Sequence, residues 1–296
     1  MAVVSGEVRP SPGFSCLTHA WAPLCSGPVS TLEALVLGAV QGATEFIPIS
    51  SSGHLVLVPE ALGWDQPGLA FDVLLHAASL AALVVYFRAE LIALVSGVVR
   101  GEAGARRMST LLLVGTIPAA AAGLLLGDYF EGTFHDAPAA AVQLVVTAVI
   151  LVGAELVLRF HRKRVEREGG SLRGVDDLRG PDALVIGIAQ AISILPGISR
   201  SGSTIGAGLA LSVGRDDAAR FAFLLAIPAL FGAALVQLPE LGGTELGLQA
   251  GIAGFAASLV TSYAEIAGLI RYLRTRSLYP FAIYCVVAGV VFYAIV

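Results

Sequence analysis

Two polar stretches interrupt an otherwise apolar chain, and one is a variant of the other at an offset of 149 residues. The first runs Gly38-Ala-Val-Gln41-Gly-Ala-Thr-Glu45-Phe-Ile-Pro48-Ile-Ser50-Ser51-Ser52-Gly53-His54. The second runs Gly187-Ile-Ala-Gln190-Ala-Ile-Ser-Ile-Leu-Pro196-Gly-Ile-Ser199-Arg200-Ser201-Gly202-Ser203-Thr204. Gly38 falls on Gly187, Gln41 on Gln190, Ser50 on Ser199, Ser52 on Ser201 and Gly53 on Gly202. Each copy lies in an apolar region, at about 32–62 and 182–213, where Pro, Gly and Ser prevent one continuous helix.

Those regions belong in a membrane. The chain is 56% hydrophobic and 14% charged, with a mean hydropathy of +0.82, whereas soluble domains carry roughly 25% charged residues. Apolar runs of spanning length, roughly 17–25 residues, occur near 69–87, 108–127, 138–158, 218–238, 248–270 and 280–296. Residues 1–30 are rich in Pro, Ser and Gly and hold one basic residue, Arg9. They lack the pattern of a signal peptide and are expected to be a disordered extension. Cys16, Cys25 and Cys285 have neither metal-site spacing nor the number of a disulfide framework.

The basic residues orient the spans. Of 18 Lys and Arg, 16 fall in 88–107, 159–180, 215–220 and 271–276, whereas 128–137 and 239–247 carry only acidic charges. The positive-inside rule places the four basic segments in the cytoplasm. Residues 182–213 then start in the cytoplasm and must return there by Arg215, while 32–62 enters from the other side and turns back. The halves share one plan in opposite orientation, an inverted repeat that sets interrupted helices against each other near the midplane. Phe71-Asp-Val-Leu-Leu75 against Phe221-Ala-Phe-Leu-Leu225 is a second echo of that repeat. The expected fold is an all-α polytopic membrane protein of about six transmembrane helices plus two re-entrant helical hairpins. Residues 31–296 form one membrane domain, with repeat one at 31–158, a cytoplasmic loop at 159–180 and repeat two at 181–296.

Arg200 is the one basic residue in the expected membrane interior. A guanidinium there costs at least about 2.5–3.5 kcal/mol and so needs an anionic partner, a carboxylate or a phosphate. Glu45 could serve and merely lock the repeats together. The flanking Ser199, Ser201, Gly202, Ser203 and Thr204 argue for more, since hydroxyls and flexible backbone leading into a helix start form an anion nest. In the first motif, Gln41 and Glu45 share a helix face at i,i+4. Pro48 stops that helix and leaves Ser50, Ser51, Ser52 and Gly53 to cap a new one near His54. A carboxylate so placed can bind a divalent cation or move protons, and a serine beside a histidine can be a nucleophile with its base. Asp72 and His76, also i,i+4, are candidates to line an entrance. Glu155 and Glu265 are expected to pair with Arg159 and Arg271 at helix ends. The run from Arg159 to Arg179 is an orientation signal, not a nucleic-acid patch.

Together the two motifs resemble the signatures of the bacterial undecaprenyl-pyrophosphate phosphatases, the bacitracin-resistance family, from about residue 31 to the C-terminus. The similarity extends to Phe-Asp-Val near 71, Gly174-Val-Asp-Asp-Leu178 and Pro280-Phe-Ala-Ile-Tyr284. The resemblance implies a bacterial inner-membrane enzyme, its site facing outside, that removes the terminal phosphate of undecaprenyl pyrophosphate and returns the lipid carrier to cell-wall synthesis. It implies a divalent cation, Mg2+ or Ca2+, and it matches Glu45, Ser51, His54 and Arg200 to the family's acidic, serine, histidine and arginine positions. Gln41 stands where many members have glutamate, so Glu45 is expected to carry more of the metal binding. Ser52 replaces a common threonine and keeps the hydroxyl. Ser51 is the preferred nucleophile with His54 as its base, and a phosphohistidine at His54 is the alternative. The expected partners are the polyprenyl pyrophosphate lipid and the membrane, with a homodimer left open. The rival reading is a transporter or flippase for a lipid phosphate or another anion, because inverted repeats with broken helices are a carrier architecture.

Overall fold

A computed structural model describes residues 29–127, 129–130, 136–237 and 247–295. The N-terminal stretch read as a disordered extension, and the acidic residues Asp128, Glu131, Glu240 and Glu245, lie outside the described residues. Among those described, the chain forms eleven α-helices, one 3-10 turn and no β-sheet. Repeat one comprises α1 (Thr31–Thr44), α2 (Ser51–Leu62), α3 (Leu69–Tyr86), α4 (Arg88–Arg100), α5 (Ala103–Leu125) and α6 (Ala137–Arg167). Repeat two comprises α7 (Gly180–Ile192), α8 (Arg200–Ala210), α9 (Arg215–Gln237), α10 (Leu248–Leu273) and α11 (Tyr279–Ile295).

Helices α3, α5, α6, α9 and α10 are long and apolar enough to cross a bilayer, and α11, at 17 residues, is a sixth apolar helix. The two motif regions form the expected pairs of short helices, α1–α2 and α7–α8, each broken at its motif. Ser30 starts α1 through a capping box with Glu33, and Asp136 caps α6 by accepting from the Ala139 N–H at 2.9 Å. At 31 residues α6 extends about 46 Å, well beyond the hydrocarbon core, so its last turns carry Arg162, Lys163, Arg164 and Arg167 clear of it.

The pseudo-symmetry is visible at glycines. Helix α1 packs along α10, and in the other half α7 packs along α5. A Cβ at Gly38 would strike the Gly254 backbone, and one at its counterpart Gly187 would strike the Gly115 backbone. Leu75 lies against Gly254 and its counterpart Leu225 against Gly115. With no apolar driving force between helices in lipid, such small-residue crossings let backbones approach and supply the packing. Hydroxyls add to it: Ser79, on α3, meets Ser258 and Ser262 of α10 at 3.1 and 2.9 Å.

The basic segments gather at one end of the bundle. Arg107 donates to the Leu178 carbonyl at 3.1 Å, Arg220 to Glu90 at 2.6 Å, and the Arg173 N–H to the Ser212 carbonyl at 3.0 Å. Residues 88–107 depart from the expected loop: they form α4 and the first turn of α5. The cause is an apolar stripe, Ile92, Val95 and Val99, spaced i, i+3, i+7 and exposed on the surface of α4, which suits a helix lying at a bilayer interface.

Neither of two expected ion pairs forms. Glu155 does not pair with Arg159. It accepts from Arg215 at 2.8 and 2.5 Å and from the Leu278 N–H at 2.8 Å, joining α6, α9 and the start of α11, while Arg159 lies 4.7 Å over the Tyr279 ring. Glu265 does not reach Arg271 either; it bonds the backbone of the first motif.

Candidate active site

The two motifs meet. Pro48 and the turns on either side end α1 one residue before Glu45, and the chain re-enters helix at Ser51 after Ser50, whose φ is 68°. In the second motif Gly197, at φ 95°, makes the matching reversal before Ser199 caps α8. A Cβ on Gly53 would lie 3.0 Å from the Cα of Gly197, so the first loop packs tightly on the second there, while a Cβ on Gly197 would strike the Ala140 carbonyl of α6. The Ser201 hydroxyl crosses between repeats to the Ile47 carbonyl at 3.1 Å. The N-termini of α2 and α8 thus converge, and their aligned dipoles set positive ends toward one place, the arrangement that binds anions.

Glu45 is the hub. Its carboxylate accepts from the Gln41 amide at 2.9 Å, from the Ser51 hydroxyl and from the Arg200 guanidinium. His76 Nε2 stands 3.8 Å away. The Glu45 side chain is 3% exposed and that of Arg200 20% exposed. Part of the guanidinium therefore stays accessible, and only its Nη2 is bonded to Glu45. The pairing that would lock the repeats does exist, but it includes Ser51, which locking alone does not require.

His54 lies apart from that hub. Its Nδ1 is 2.7 Å from the Ser50 carbonyl and its Nε2 2.7 Å from the Tyr284 hydroxyl. A carbonyl only accepts, so Nδ1 carries the proton and Nε2 of the neutral ring accepts from Tyr284. The Tyr284 ring also stacks on it at 5.7 Å. The expected Ser51–His54 pair is not formed, because both ring nitrogens face other partners; the Ser51 proton points to Glu45 instead.

Most second-motif hydroxyls are internally engaged. Ser199 caps α8 by accepting from the Gly202 N–H at 3.0 Å and contacts Ser201 at 3.1 Å, and Thr204 donates to the Arg200 carbonyl at 2.8 Å. In the first motif Ser50 caps α2 through the Gly53 N–H at 3.4 Å and contacts Ser52 at 3.3 Å. Ser203 is the exception, with a buried hydroxyl lacking a partner among the described residues. Sequence reasoning missed Thr147, assigned Glu265 to a pairing with Arg271, and gave Tyr284 no role beyond its place in the Pro280–Tyr284 stretch. Thr147 donates to the Gly197 carbonyl and accepts from the Ser199 N–H, both at 2.9 Å.

Two buried oxygens are of a kind that a divalent cation would accept as ligands. The amide oxygen of Gln41, beside Glu45, and Oδ1 of Asp72, one turn before His76, are buried without hydrogen-bond partners among the described residues. Both are hard donors of the kind Mg2+ and Ca2+ prefer. No cluster of three acidic, His or Cys side chains occurs among the described residues. Such a site fits an ion that takes one or two protein carboxylates and completes its shell with substrate oxygens and water.

Residues 34–291 match the model of the bacitracin resistance protein BacA. The chain belongs to that family. Among curated relatives, a protein of Syntrophotalea carbinolica named undecaprenyl-diphosphatase is 43% identical over 272 residues, covering 90% of this chain and 99% of that one. Proteins of the same name from Thermomicrobium roseum and Methanosphaera stadtmanae are 40% and 38% identical, covering 89% and 88% of this chain and 97% and 96% of theirs. The family match takes in both motifs and every helix that builds the Glu45 hub.

Proposed function

We propose that this membrane protein hydrolyses undecaprenyl pyrophosphate to undecaprenyl phosphate and inorganic phosphate. The observation that carries the reading is that one buried carboxylate, Glu45, holds both a serine hydroxyl of the first repeat and an arginine of the second. A nucleophile, its base and a cationic anchor are thereby brought to one cleft. Relatives named undecaprenyl-diphosphatase at 38–43% identity supply the substrate.

In the reaction Arg200 turns its free N–H donors to the pyrophosphate, supported by the helix N-termini of α2 and α8. Glu45 accepts the Ser51 proton as Ser51 Oγ bonds the terminal phosphorus and the bond to the bridging oxygen breaks. Undecaprenyl phosphate departs with the electron pair and takes the proton from Glu45, which leaves the carboxylate free again. Water, giving a proton to Glu45, then cleaves the phosphoserine, and the proton returns to Ser51 as inorganic phosphate leaves. Phosphoryl transfer asks chiefly for positioning and charge stabilisation, which this set supplies. Gln41 and Glu45 would hold a divalent cation, which when bound neutralises phosphate charge. His54, fixed between Ser50 and Tyr284, orients the peptide before Ser51 and does not itself attack.

We place the basic end of the bundle on the cytoplasmic side of a bacterial inner membrane, with the first motif opening outward, a reading that the lysine and arginine pattern supports. The test is phosphate release from undecaprenyl pyrophosphate by the purified protein in detergent, with Mg2+ and with a chelator, beside Arg200→Ala. Cation-dependent release that Arg200→Ala abolishes supports the phosphatase. A folded protein that binds the lipid and releases no phosphate overturns it.

A further inference from the structure

One buried carboxylate has no part in that chemistry and no cationic partner among the described residues. Glu265 lies within α10 and is 8% exposed. Its Oε1 accepts the Phe46 N–H at 2.9 Å and also the Ile47 N–H, a residue 218 positions away. Its Oε2 is buried without a hydrogen-bond partner among the described residues. An unpaired carboxylate in a membrane protein interior is costly, and those that persist are as a rule functional.

The residues it grips follow Glu45 directly. Phe46 is buried and its ring meets Phe223 edge-on at 5.4 Å, and the Ile47 carbonyl takes the Ser201 hydroxyl at 3.1 Å. The peptide strip between α1 and α2 is therefore held on its N–H side by Glu265 and on its carbonyl side by the second motif. Thr147 does the corresponding work on the other loop, where it clamps Gly197 and Ser199 from α6. Each motif loop is fixed by a buried side chain of the opposite repeat. Two backbone donors sharing one oxygen call for an acceptor with two lone pairs at that place, which a carboxylate oxygen supplies and a side-chain amide oxygen can also supply.

We propose that Glu265 is a positioning residue for the reaction: by clamping Phe46 and Ile47 it sets the Glu45 carboxylate at the distance and angle that reach both Ser51 and Arg200. The proposal rests on Glu45 and Ser51 carrying the chemistry. Glu265→Asp withdraws the oxygen by one methylene while keeping the charge, and Glu265→Gln keeps an acceptor in place while removing the charge. A misplacement of about 1 Å at a reacting group costs about 100-fold. Glu265→Asp therefore lowers kcat about 100-fold with KM within about threefold, and Glu265→Gln stays within about tenfold of wild type.

Both variants are measured in detergent beside Glu45→Gln, with melting and gel filtration to establish folding. Wild-type kcat in Glu265→Asp overturns the proposal, and so does a loss confined to KM. A Glu265→Gln variant as poor as Glu265→Asp overturns it too, since charge and not the clamp would then matter. If Glu265→Asp does not fold, Glu265→Gln decides, and a kcat below a tenth of wild type counts against the clamp. Full activity in Glu45→Gln would instead remove the catalytic reading itself and leave the clamp without an object.

Discussion

Replacing Arg200 with alanine takes the guanidinium from a carboxylate whose side chain is 3% exposed and leaves Gln41 and Ser51 as its close donors. Loss of one preorganised donor at a site of developing charge costs about 10²–10³ in kcat, about 2.7–4 kcal/mol. Replacing Glu45 with glutamine removes the base, a loss of about 10²–10⁴. Were the two independent, the double variant would lose the product, about 10⁴–10⁷. The structure makes them one unit, since the same carboxylate receives the Ser51 proton and orients Arg200. Without Glu45, Arg200 has lost its anchor, and without Arg200, the Glu45 charge is misdirected. The double variant is therefore expected to lose no more than about tenfold beyond the worse single variant. The assay is steady-state phosphate release from undecaprenyl pyrophosphate by the four proteins at matched folded concentration. Losses that multiply would refute the coupling.

Three further outcomes follow from other parts of the molecule. Arg215→Ala strands the buried Glu155 carboxylate and should lower stability by about 3–5 kcal/mol, read as a fall in Tm, with kcat per folded molecule unchanged. A kcat loss at constant Tm would tie that pair to the reaction instead. Gly187→Ala sets a Cβ against the Gly115 backbone and should cost about 1–3 kcal/mol by the same melting measurement, whereas Gly153→Ala, with open space around it, should be silent. Gln41→Glu adds a carboxylate beside Glu45 and should lower the Mg2+ concentration for half-maximal activity by about tenfold; no change in a cation titration removes Gln41 from the ion's shell.

Much of this architecture is legible in the sequence because lipid leaves the backbone few options. The apolar runs became helices close to their reading except at 138–158, where α6 continues to Arg167 through the first part of the stretch read as the 159–180 loop, and the break in each motif fell near Pro48 and Pro196. The 149-residue echo gave the two-fold plan, which the Gly38–Gly254 and Gly187–Gly115 crossings express in packing. What the sequence hid depends on distance. Glu155 and Glu265 were matched to cations nearby in the chain, yet their partners are Arg215 and the backbone of Phe46 and Ile47. Ser51 and His54 are three positions apart, but the ring is drawn to Tyr284, 230 residues away. The residues at 88–107 carry enough charge to read as a loop, while their apolar positions keep helical spacing.

The central claim is that Ser51, armed by Glu45, takes the phosphoryl group within a cleft built from both repeats. It is tested most directly by rapid quench in neutral denaturing detergent of the enzyme with substrate labelled in its terminal phosphate, which preserves phosphoserine and phosphohistidine alike, followed by mapping of the protein-bound label. The account predicts label on Ser51, absent in Ser51→Ala and in Glu45→Gln. Label on His54, or undiminished phosphate release by Ser51→Ala, would contradict it.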